Sequence, residues 1–156
     1  MVVKNTHAAR SQCPIACGLD IVGDHWSLLI IRDLLFFGQH EYKDMLGSGE
    51  GISSNILSDR LAKLQQADLL KSIPHPESKK RKLYYLTPKG KDMVYVLISI
   101  AMWSTKYLSG RVKAAFDEEV TNKGPKEFAR YLLLKTEEWE HQYGIELESE
   151  NESESV

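Results

Sequence analysis

Several classes of protein are excluded by what this sequence lacks. It has two cysteines among 156 residues, too few for a secreted fold held together by several disulfides. It has no apolar run of the kind that a signal peptide or a membrane-spanning helix needs. We therefore expect a cytoplasmic protein with no membrane partner.

Motifs for catalysis and for metal binding are lacking as well. The five histidines are scattered, and the sequence contains no H-E-x-x-H motif, no C-x-x-C pair and no serine in a nucleophile-elbow frame. The glycines of residues 47–51 do not fit the G-x-G-x-x-G frame of a phosphate-binding loop, so they predict a turn. We expect no catalytic residue, no metal ligand and no cofactor.

The chain also lacks a strong net charge, but its charges are unevenly placed. The formal net charge is −2, which argues against a uniformly basic nucleic-acid binder. Residues 145–156 hold five Glu and no Lys or Arg, and without them basic residues outnumber acidic ones by three. A mildly basic body therefore carries an acidic tail. The hydrophobic fraction of 42% is ordinary for a globular domain with a real core.

A helix with two dissimilar faces is predicted over residues 51–68. Ser53 is a suitable N-cap, because its hydroxyl can accept a hydrogen bond from the free N–H groups of the first turn. The apolar stripe is Ile56 or Leu57, then Leu61 and Leu64, and the opposite face carries Asn55, Ser58, Asp59 and Ala62. Short polar side chains suit a helix pressed against a partner such as the DNA major groove. Taken alone, the segment also fits an ordinary amphipathic helix.

The flanking segments favour the DNA-binding interpretation. A buried helix is predicted at residues 24–37 and a short helix at 41–46. The short helix and the helix at 51–68 are joined by a tight glycine turn, which is a helix-turn-helix pattern. Strands at 69–73 and 83–86 then enclose a turn, and four consecutive cations at 79–82 give this hairpin a basic tip. Such cations are expected to meet DNA phosphates, although cations on a loop are often merely solvated.

The remainder of the chain predicts further helices. Thr87 and Pro88 open a helix whose long apolar stripe extends to about Leu108 and is ended by Gly110. That stripe exceeds what a small core needs, so part of it is expected to pack against a second subunit. The domain boundaries follow: an N-terminal arm (1–12), the helix-turn-helix domain (13–110), a helical extension (111–144) and the acidic tail (145–156). The aromatic face of the extension is expected to cover the dimer seam or to line a small cavity.

The order and spacing of these segments resemble the HxlR-type family of winged helix-turn-helix regulators, which has a MarR-like architecture. The similarity rests on Cys13-Pro14-Ile15, LDIVGDHWSLLIIRDLLFFG (19–38), GISSNILSDRLAKLQQADLL (51–70), YYLTPKG (84–90) and the apolar helix ending near Trp103. It implies a mainly α fold with a small β-hairpin wing (α+β). It also implies a homodimer on a pseudo-palindromic operator, most often a repressor. In place of the family's common Arg-Phe pair this chain has Glu41-Tyr42.

The resemblance places the recognition helix at 53–67 and the basic wing at 74–82. The expected DNA-binding residues are Ser53, Ser54, Asn55, Ser58, Arg60, Lys79, Lys80 and Arg81. Asn55 is the best candidate for a base edge, because an amide can bond adenine in bidentate fashion, and Ser53 and Ser54 suit phosphates. Arg60 either reaches a phosphate or pairs with an acid such as Asp33.

The resemblance also implies a dimer interface and a signal. The interface is expected to include Ile15, Leu19, Val96, Ile100, Trp103 and Tyr107. Cys13 is a candidate redox sensor, and the alternative for both it and Cys17 is a small buried apolar residue. A small aromatic or lipophilic effector is a further candidate signal. The alternative function is a winged-helix module that binds protein and has no sequence-specific DNA binding.

Overall fold

The computed structural model describes residues 11–108, 110–112 and 122–146. In chain order its elements are α1 (Pro14–Val22), α2 (Ser27–Phe37), α3 (Tyr42–Leu46), α4 (Ser54–Gln66), β1 (Leu70–His75), β2 (Ser78–Leu86), α5 (Pro88–Lys91), α6 (Met93–Tyr107) and α7 (Pro125–Gln142). The strands form one antiparallel two-stranded sheet. A mostly helical fold with a hairpin after the second helix of a helix-turn-helix confirms the predicted winged helix-turn-helix class.

Helix α2 supplies the centre of the core because it is apolar on most of its surface. Ile30, Ile31 and Leu34 are almost completely buried. The helix ends at Gly38, whose left-handed backbone (φ 59°) glycine adopts without strain. The predicted start at Asp24 was wrong by three residues: Asp24 precedes the helix, and its carboxylate accepts hydrogen bonds from the backbone N–H groups of Trp26 (2.8 Å) and Ser27 (2.9 Å).

Helix α4 forms as its two faces predict. The Ser53 hydroxyl accepts a hydrogen bond from the Ile56 N–H at 3.3 Å, which confirms the predicted N-cap. The buried stripe consists of Leu57, Leu61 and Leu64, so Leu57 and not Ile56 begins it. After the helix, Asp68 takes a left-handed conformation (φ 59°) that a short polar side chain tolerates better than most, and the chain turns into β1.

The hairpin is longer and its turn tighter than the sequence predicts. Pairing runs from Leu70 opposite Leu86 to His75 opposite Ser78, with a register irregularity after Pro74. The predicted basic tip was wrong, because the turn consists of Pro76 and Glu77 while residues 79–82 lie within β2. The cations therefore line one strand of the wing and its end carries an acid.

The chain divides into two compact units, which are described separately. The first extends to Met93, and the second begins at Val94 and contains nearly all of α6 together with α7. The single helix predicted from Pro88 was wrong, because the chain breaks at Asp92 into α5 and α6. Helix α6 ends at Tyr107, close to the predicted end near Leu108. In the part of the chain that the structure describes, no single helix has the length and apolarity to cross a bilayer; α1 and α2 pass that test together but are bent by 79° at their junction.

Gly90 in α5 marks a contact too close for a side chain. A Cβ atom at this position would lie 2.0 Å from the backbone oxygen of Leu69, which also accepts the Thr87 N–H at 3.1 Å. Helix α5 is thus seated on the junction between α4 and β1.

We predict that Gly90→Ala lowers the free energy of unfolding by about 1–3 kcal/mol, because backbone must shift to admit the methyl group. Gly18→Ala is the matched control: Gly18 lies within α1 with nothing near its missing Cβ, so the change should be neutral or add up to about 1 kcal/mol. Urea unfolding measures both. An unchanged midpoint for Gly90→Ala would contradict the close contact.

Candidate nucleic-acid interface

Tyr42 joins the first helix of the helix-turn-helix to the second. Its hydroxyl donates a hydrogen bond to the Ser54 carbonyl oxygen at 2.8 Å and lies 3.1 Å from the Ser58 hydroxyl. Helix α3 has five residues, so this contact and the buried side chain of Met45 hold it where its own length would not. One side chain therefore sets the position of the N-terminal turn of α4.

His40 joins the start of α3 to the wing. The Tyr84 N–H donates to the His40 carbonyl oxygen at 2.8 Å, and His40 Nδ1 lies 2.8 Å from the Tyr84 carbonyl oxygen, so the ring donates there through Nδ1–H. Glu41 extends this contact as an isolated antiparallel bridge with Leu83. Burial lowers the pKa of His40, and its hydrogen bond to Tyr84 offsets this only in part.

Helix α4 is also joined directly to the wing. Gln65 donates from its side-chain amide to the Ser72 hydroxyl at 3.2 Å. At the base of the hairpin, the Thr87 hydroxyl donates to the Asp68 carbonyl oxygen at 2.6 Å, and Lys89 Nζ donates to the Ala67 carbonyl oxygen at 2.7 Å. Helix α3, helix α4 and the wing are therefore connected pairwise by polar contacts, and we call the surface that they share the α3–α4–wing surface.

The predicted polar residues of α4 lie on this surface. Ser53, Ser54, Asn55 and Ser58 are all exposed. The Asn55 amide makes no hydrogen bond to any described residue, so all of its donors and acceptors are available. Ser58 is more restricted, since its hydroxyl already contacts Tyr42.

The wing cations differ from one another in what they contact. Lys79, Lys80 and Lys82 are exposed, and none of the three makes an ion pair within the described ranges. Arg81 instead donates through Nε to Glu41 Oε2 at 3.0 Å and through Nη2 to the same oxygen. A cavity of about 500 Å³ lies beside this pair between α3 and the wing, and Tyr42 and Tyr84 form part of its wall.

Arg60 lies beside two acids, Asp24 and Asp59, and neither is the Asp33 named as an example in the prediction. Its Nε lies 3.4 Å from Asp24 Oδ1, so it brings α4 close to the start of α2. Burial acts to raise the pKa of Asp24, but the pKa stays below its ordinary value. It is lowered by hydrogen bonds from the Ser27 hydroxyl and from the Trp26 and Ser27 backbone N–H groups, and by the nearby charge of Arg60. Asp33, the predicted partner, is bonded by Arg32 instead (2.9 Å and 2.6 Å).

Arg32 also steadies the glycine turn that leads into α4. Its Nη1 donates to Glu50 Oε1 at 2.6 Å, and Glu50 precedes Gly51 (φ 78°). Burial raises the pKa of Asp33 despite the hydrogen bonds from Arg32. The turn 47–51 is thus anchored to α2.

The two cysteines are free thiols and both are exposed, so their interpretation as small buried residues was wrong. Cys13 is the N-cap of α1 and precedes Pro14. Cys17 lies one turn later, with its N–H bonded to the Cys13 carbonyl oxygen at 3.0 Å and its Sγ 3.6 Å from the Ser11 carbonyl oxygen.

Each unit leaves part of an apolar helix face exposed. In α1 these residues are Ile15 (74% exposed) and Leu19 (59%). In α6, Val94 and Ile98 are buried, whereas the predicted interface residues Val96, Ile100, Trp103 and Tyr107 are 40–61% exposed. Single exposed apolar residues are ordinary, but a row of them along one helix is typical of a surface that another protein covers.

Helix α7 has a buried face and a charged one. Phe128 and Leu132 are buried, while Tyr131 is exposed with Lys123 Nζ 5.2 Å and Lys135 Nζ 5.4 Å from its ring centre. A cavity of about 520 Å³ on this side is lined by Lys123, Glu127, Arg130, Tyr131 and Leu134. This lining is charged, which suits a lipophilic molecule poorly, and the predicted effector stays a prediction.

Sequence reasoning missed several contacts that build the site. The bond of His40 to Tyr84 joins residues 44 positions apart, and the bond of Gln65 to Ser72 joins a helix to the strand that follows it. No local pattern in the sequence marks either contact. Glu41 and Tyr42 stand out in the sequence as a departure from the family's common pair, but nothing local predicts their partners. Within the described residues, no group of His, Cys, Asp or Glu is arranged to hold a metal ion.

Comparisons with known proteins agree with this geometry. A model of the family described as HxlR-like helix-turn-helix matches residues 21–111, more than half of the chain. An uncharacterized HTH-type transcriptional regulator of Mycobacterium bovis is 33% identical over 90 residues, covering 58% of this chain and 56% of the relative. The chain thus spans about half the length of this relative.

Solved structures with a similar fold carry related names. The crystal structure of PA1607, a candidate transcription factor, has 35% sequence identity and a TM-score of 0.59, covering 65% of this chain and 70% of that one. The reduced form of the transcriptional regulator YodB from Bacillus subtilis has 26% identity and a TM-score of 0.50, covering 62% and 95%. The matched proteins are named as regulators and not as enzymes.

We predict that the contact between α3 and the wing weakens in acid because of His40. The pKa of His40 is lowered in the folded protein, so below about pH 6.5 the unfolded chain binds the proton more readily and stability is lost as the pH falls. His40→Asn keeps a side-chain N–H donor and does not titrate, so the variant should lose less stability than the native protein between about pH 7.5 and about pH 5.5.

Urea unfolding at the two pH values measures this difference. His141→Asn, at an exposed position in α7, is the matched control and should keep the native pH dependence. Equal pH dependence in His40→Asn and in the native protein would contradict the assignment to His40.

Proposed function

We propose a function from the premise that this chain belongs to the HxlR-like helix-turn-helix family of transcriptional regulators, whose model matches residues 21–111. It binds a pseudo-palindromic DNA operator as a homodimer and represses transcription by obstructing polymerase at the promoter. Helix α4 enters the major groove, and the cations of β2 meet the phosphate backbone beside it.

One observation carries this proposal. The exposed face of α4 presents Asn55 with its amide unoccupied, flanked by Ser53 and Ser54, while hydrogen bonds fix α4 to α3 on one side and to the wing on the other. An amide held on a rigid helix can bond an adenine edge in bidentate fashion. The serine hydroxyls and the positive N-terminal end of the helix suit phosphate oxygens.

The wing supplies the sequence-independent part of the binding. Lys79 and Lys80 are exposed and carry charges that no described acid neutralises, so they are available to phosphates. Arg60 has a smaller part in our proposal, because its guanidinium lies beside Asp24 and holds α4 to α2. A chain of net charge −2 can bind DNA in this way because four of its cations are consecutive at 79–82 in β2.

The homodimer is supported by the exposed apolar residues of α1 and α6. Ile15, Leu19, Val96, Ile100, Trp103 and Tyr107 are all at least 40% exposed in the single chain. Covering such residues with a second copy removes them from water, and two copies related by a two-fold axis match an operator with inverted half-sites.

Selection from a random duplex pool tests the proposal, followed by measurement of affinity against salt. We expect an inverted repeat with half-sites about one helical turn apart, and an affinity that falls steeply as salt rises. Failure to enrich any site, with weak and salt-insensitive binding, would overturn the proposal and favour the protein-interaction module.

Two substitutions separate base recognition from phosphate binding. Asn55→Ala should reduce the preference for the selected operator over a scrambled duplex by about 5- to 150-fold for each half-site, the value of one bidentate base contact. Lys80→Gln should weaken binding to both duplexes alike and lower the salt slope by about 1 for each phosphate that the side chain no longer neutralises. Fluorescence anisotropy at several salt concentrations measures both quantities. Equal losses of discrimination in the two variants would contradict these roles.

We further propose that Cys13 responds to oxidants. The Cys13 thiol is exposed at the N-cap of α1, and the apolar residues of that helix suit the dimer. The chain is also similar to YodB, whose reduced form has been solved. The Cys13 thiolate attacks one oxygen of hydrogen peroxide and breaks the O–O bond, which leaves a sulfenic acid on Cys13 and releases hydroxide that takes a proton from solvent. A polar group at this position disturbs the packing of α1 in the dimer.

Cys13→Ser should bind DNA as the native protein does and should no longer be released by hydrogen peroxide, because it has no thiol to oxidise. Cys17→Ser, one turn along the same helix, is the matched control and should still be released. Electrophoretic mobility shift with and without peroxide measures release. An unchanged peroxide response in Cys13→Ser would refute the sensing role.

A further inference from the structure

We infer that Glu41 competes with DNA for Arg81, so that this chain withholds one wing cation from the phosphate backbone and thereby limits its affinity for DNA of any sequence. The inference rests on the proposed DNA-binding function and deepens it. It assigns to Glu41 a role in setting affinity, and it removes Arg81 from the set of freely available DNA contacts.

The geometry of the pair carries the inference. Two of the five N–H donors of Arg81 are directed at one oxygen of Glu41, and Lys43 Nζ lies 3.7 Å from the same oxygen. His75 Nε2 lies 3.6 Å from the other oxygen. The Glu41 carboxylate is thus the common partner of three basic side chains on α3 and the wing.

Glu41 is held in this position by its own backbone. It is the N-cap residue of α3 and forms a β-bridge with Leu83 in β2, so its backbone is fixed on both sides. Its side chain is 18% exposed, against 41% for Arg81. The hydrogen bond from Arg81 lowers the pKa of Glu41, so the carboxylate remains ionised at neutral pH. The pair is therefore a built contact, and the guanidinium is its more accessible half.

The surroundings of the pair are suited to a phosphate. The neighbouring cavity of about 500 Å³ is lined by four cations, two tyrosines and Glu41. Glu41 is the one anion among those lining residues, and it lies at the centre of the cations. A phosphate that enters this cavity meets a carboxylate of like charge and an arginine whose donors are partly occupied. Both effects weaken the contact.

A phosphate contact carries no information about sequence, so its suppression should lower affinity equally for operator and for unrelated DNA. Each phosphate that a cation neutralises adds about 0.9 to the salt slope, which corresponds to about fivefold in affinity at about 0.15 M salt. The salt slope therefore reports whether Arg81 has been released.

The test compares Glu41→Gln with the native chain on the selected operator and on a duplex of about 30 base pairs with scrambled sequence. Glutamine keeps an oxygen that can accept from Arg81 but removes the charge. We expect affinity to rise about fivefold for each half-site on both duplexes, and the salt slope to steepen by about 0.9 for each half-site. In the background of Arg81→Ala, the same substitution should leave the slope unchanged, because no guanidinium is released.

Two controls make the result specific. Glu137→Gln changes the net charge equally at an exposed position in α7 and should alter neither affinity nor slope. Thermal unfolding checks that each variant is folded, and Glu41→Ala is a second variant that removes the carboxylate.

The inference is overturned if the affinity of Glu41→Gln is within about twofold of that of the native chain, or lower. It is also overturned if Glu41→Gln leaves the salt slope unchanged, or if the slope steepens equally in the Arg81→Ala background. These outcomes differ from failure of the proposed function, in which the native chain selects no inverted repeat and binds DNA weakly at all salt concentrations. A native chain and a Glu41→Gln variant that both fail to bind any duplex would overturn both.

Discussion

The two hydrogen bonds between His40 and Tyr84 are the constraint on which the α3–α4–wing surface depends. They pair the segment before α3 with β2, donor to acceptor in both directions. A five-residue helix has too few internal hydrogen bonds to be stable alone, so α3 takes its position from this pairing. Tyr42, two residues along, then transmits that position to the first turn of α4. Burial of the histidine ring lowers its pKa, so the neutral ring is the form that suits this pairing.

The charges of the chain matter through their arrangement and not their sum. A protein of net charge −2 presents exposed cations along β2 because its acids lie elsewhere or are already paired. Asp24 caps α2 and lies beside Arg60, and Asp33 and Glu50 hold Arg32. Glu41 is also paired, but its partners are cations of the proposed interface. A site built for affinity alone would not place an acid there, and a regulator that must leave non-specific DNA gains from weaker phosphate contacts.

Much of the fold was predictable because local rules and burial agree along most of the chain. The N-caps Ser53 and Thr87, the buried stripe of α4 and the presence of a hairpin all formed as expected. The errors lie at boundaries. Asp24 was expected inside a helix that it instead precedes, and the cations 79–82 were expected at a tip that is formed by Pro76 and Glu77. Strand pairing adds backbone hydrogen bonds that local turn preferences do not anticipate, and it extended the hairpin past Pro74.

The sequence by itself determined the order of the helices and the hairpin, and which residues of α4 are buried. These follow from periodicity and capping, which act between residues a few positions apart. Only the tertiary structure decided the partners: Arg60 lies beside Asp24 and not Asp33, Arg81 is bonded to Glu41, and Tyr42 reaches Ser54. Ion pairs and side-chain hydrogen bonds depend on distances of a few ångströms between segments distant in sequence. Those distances exist only once the chain has folded.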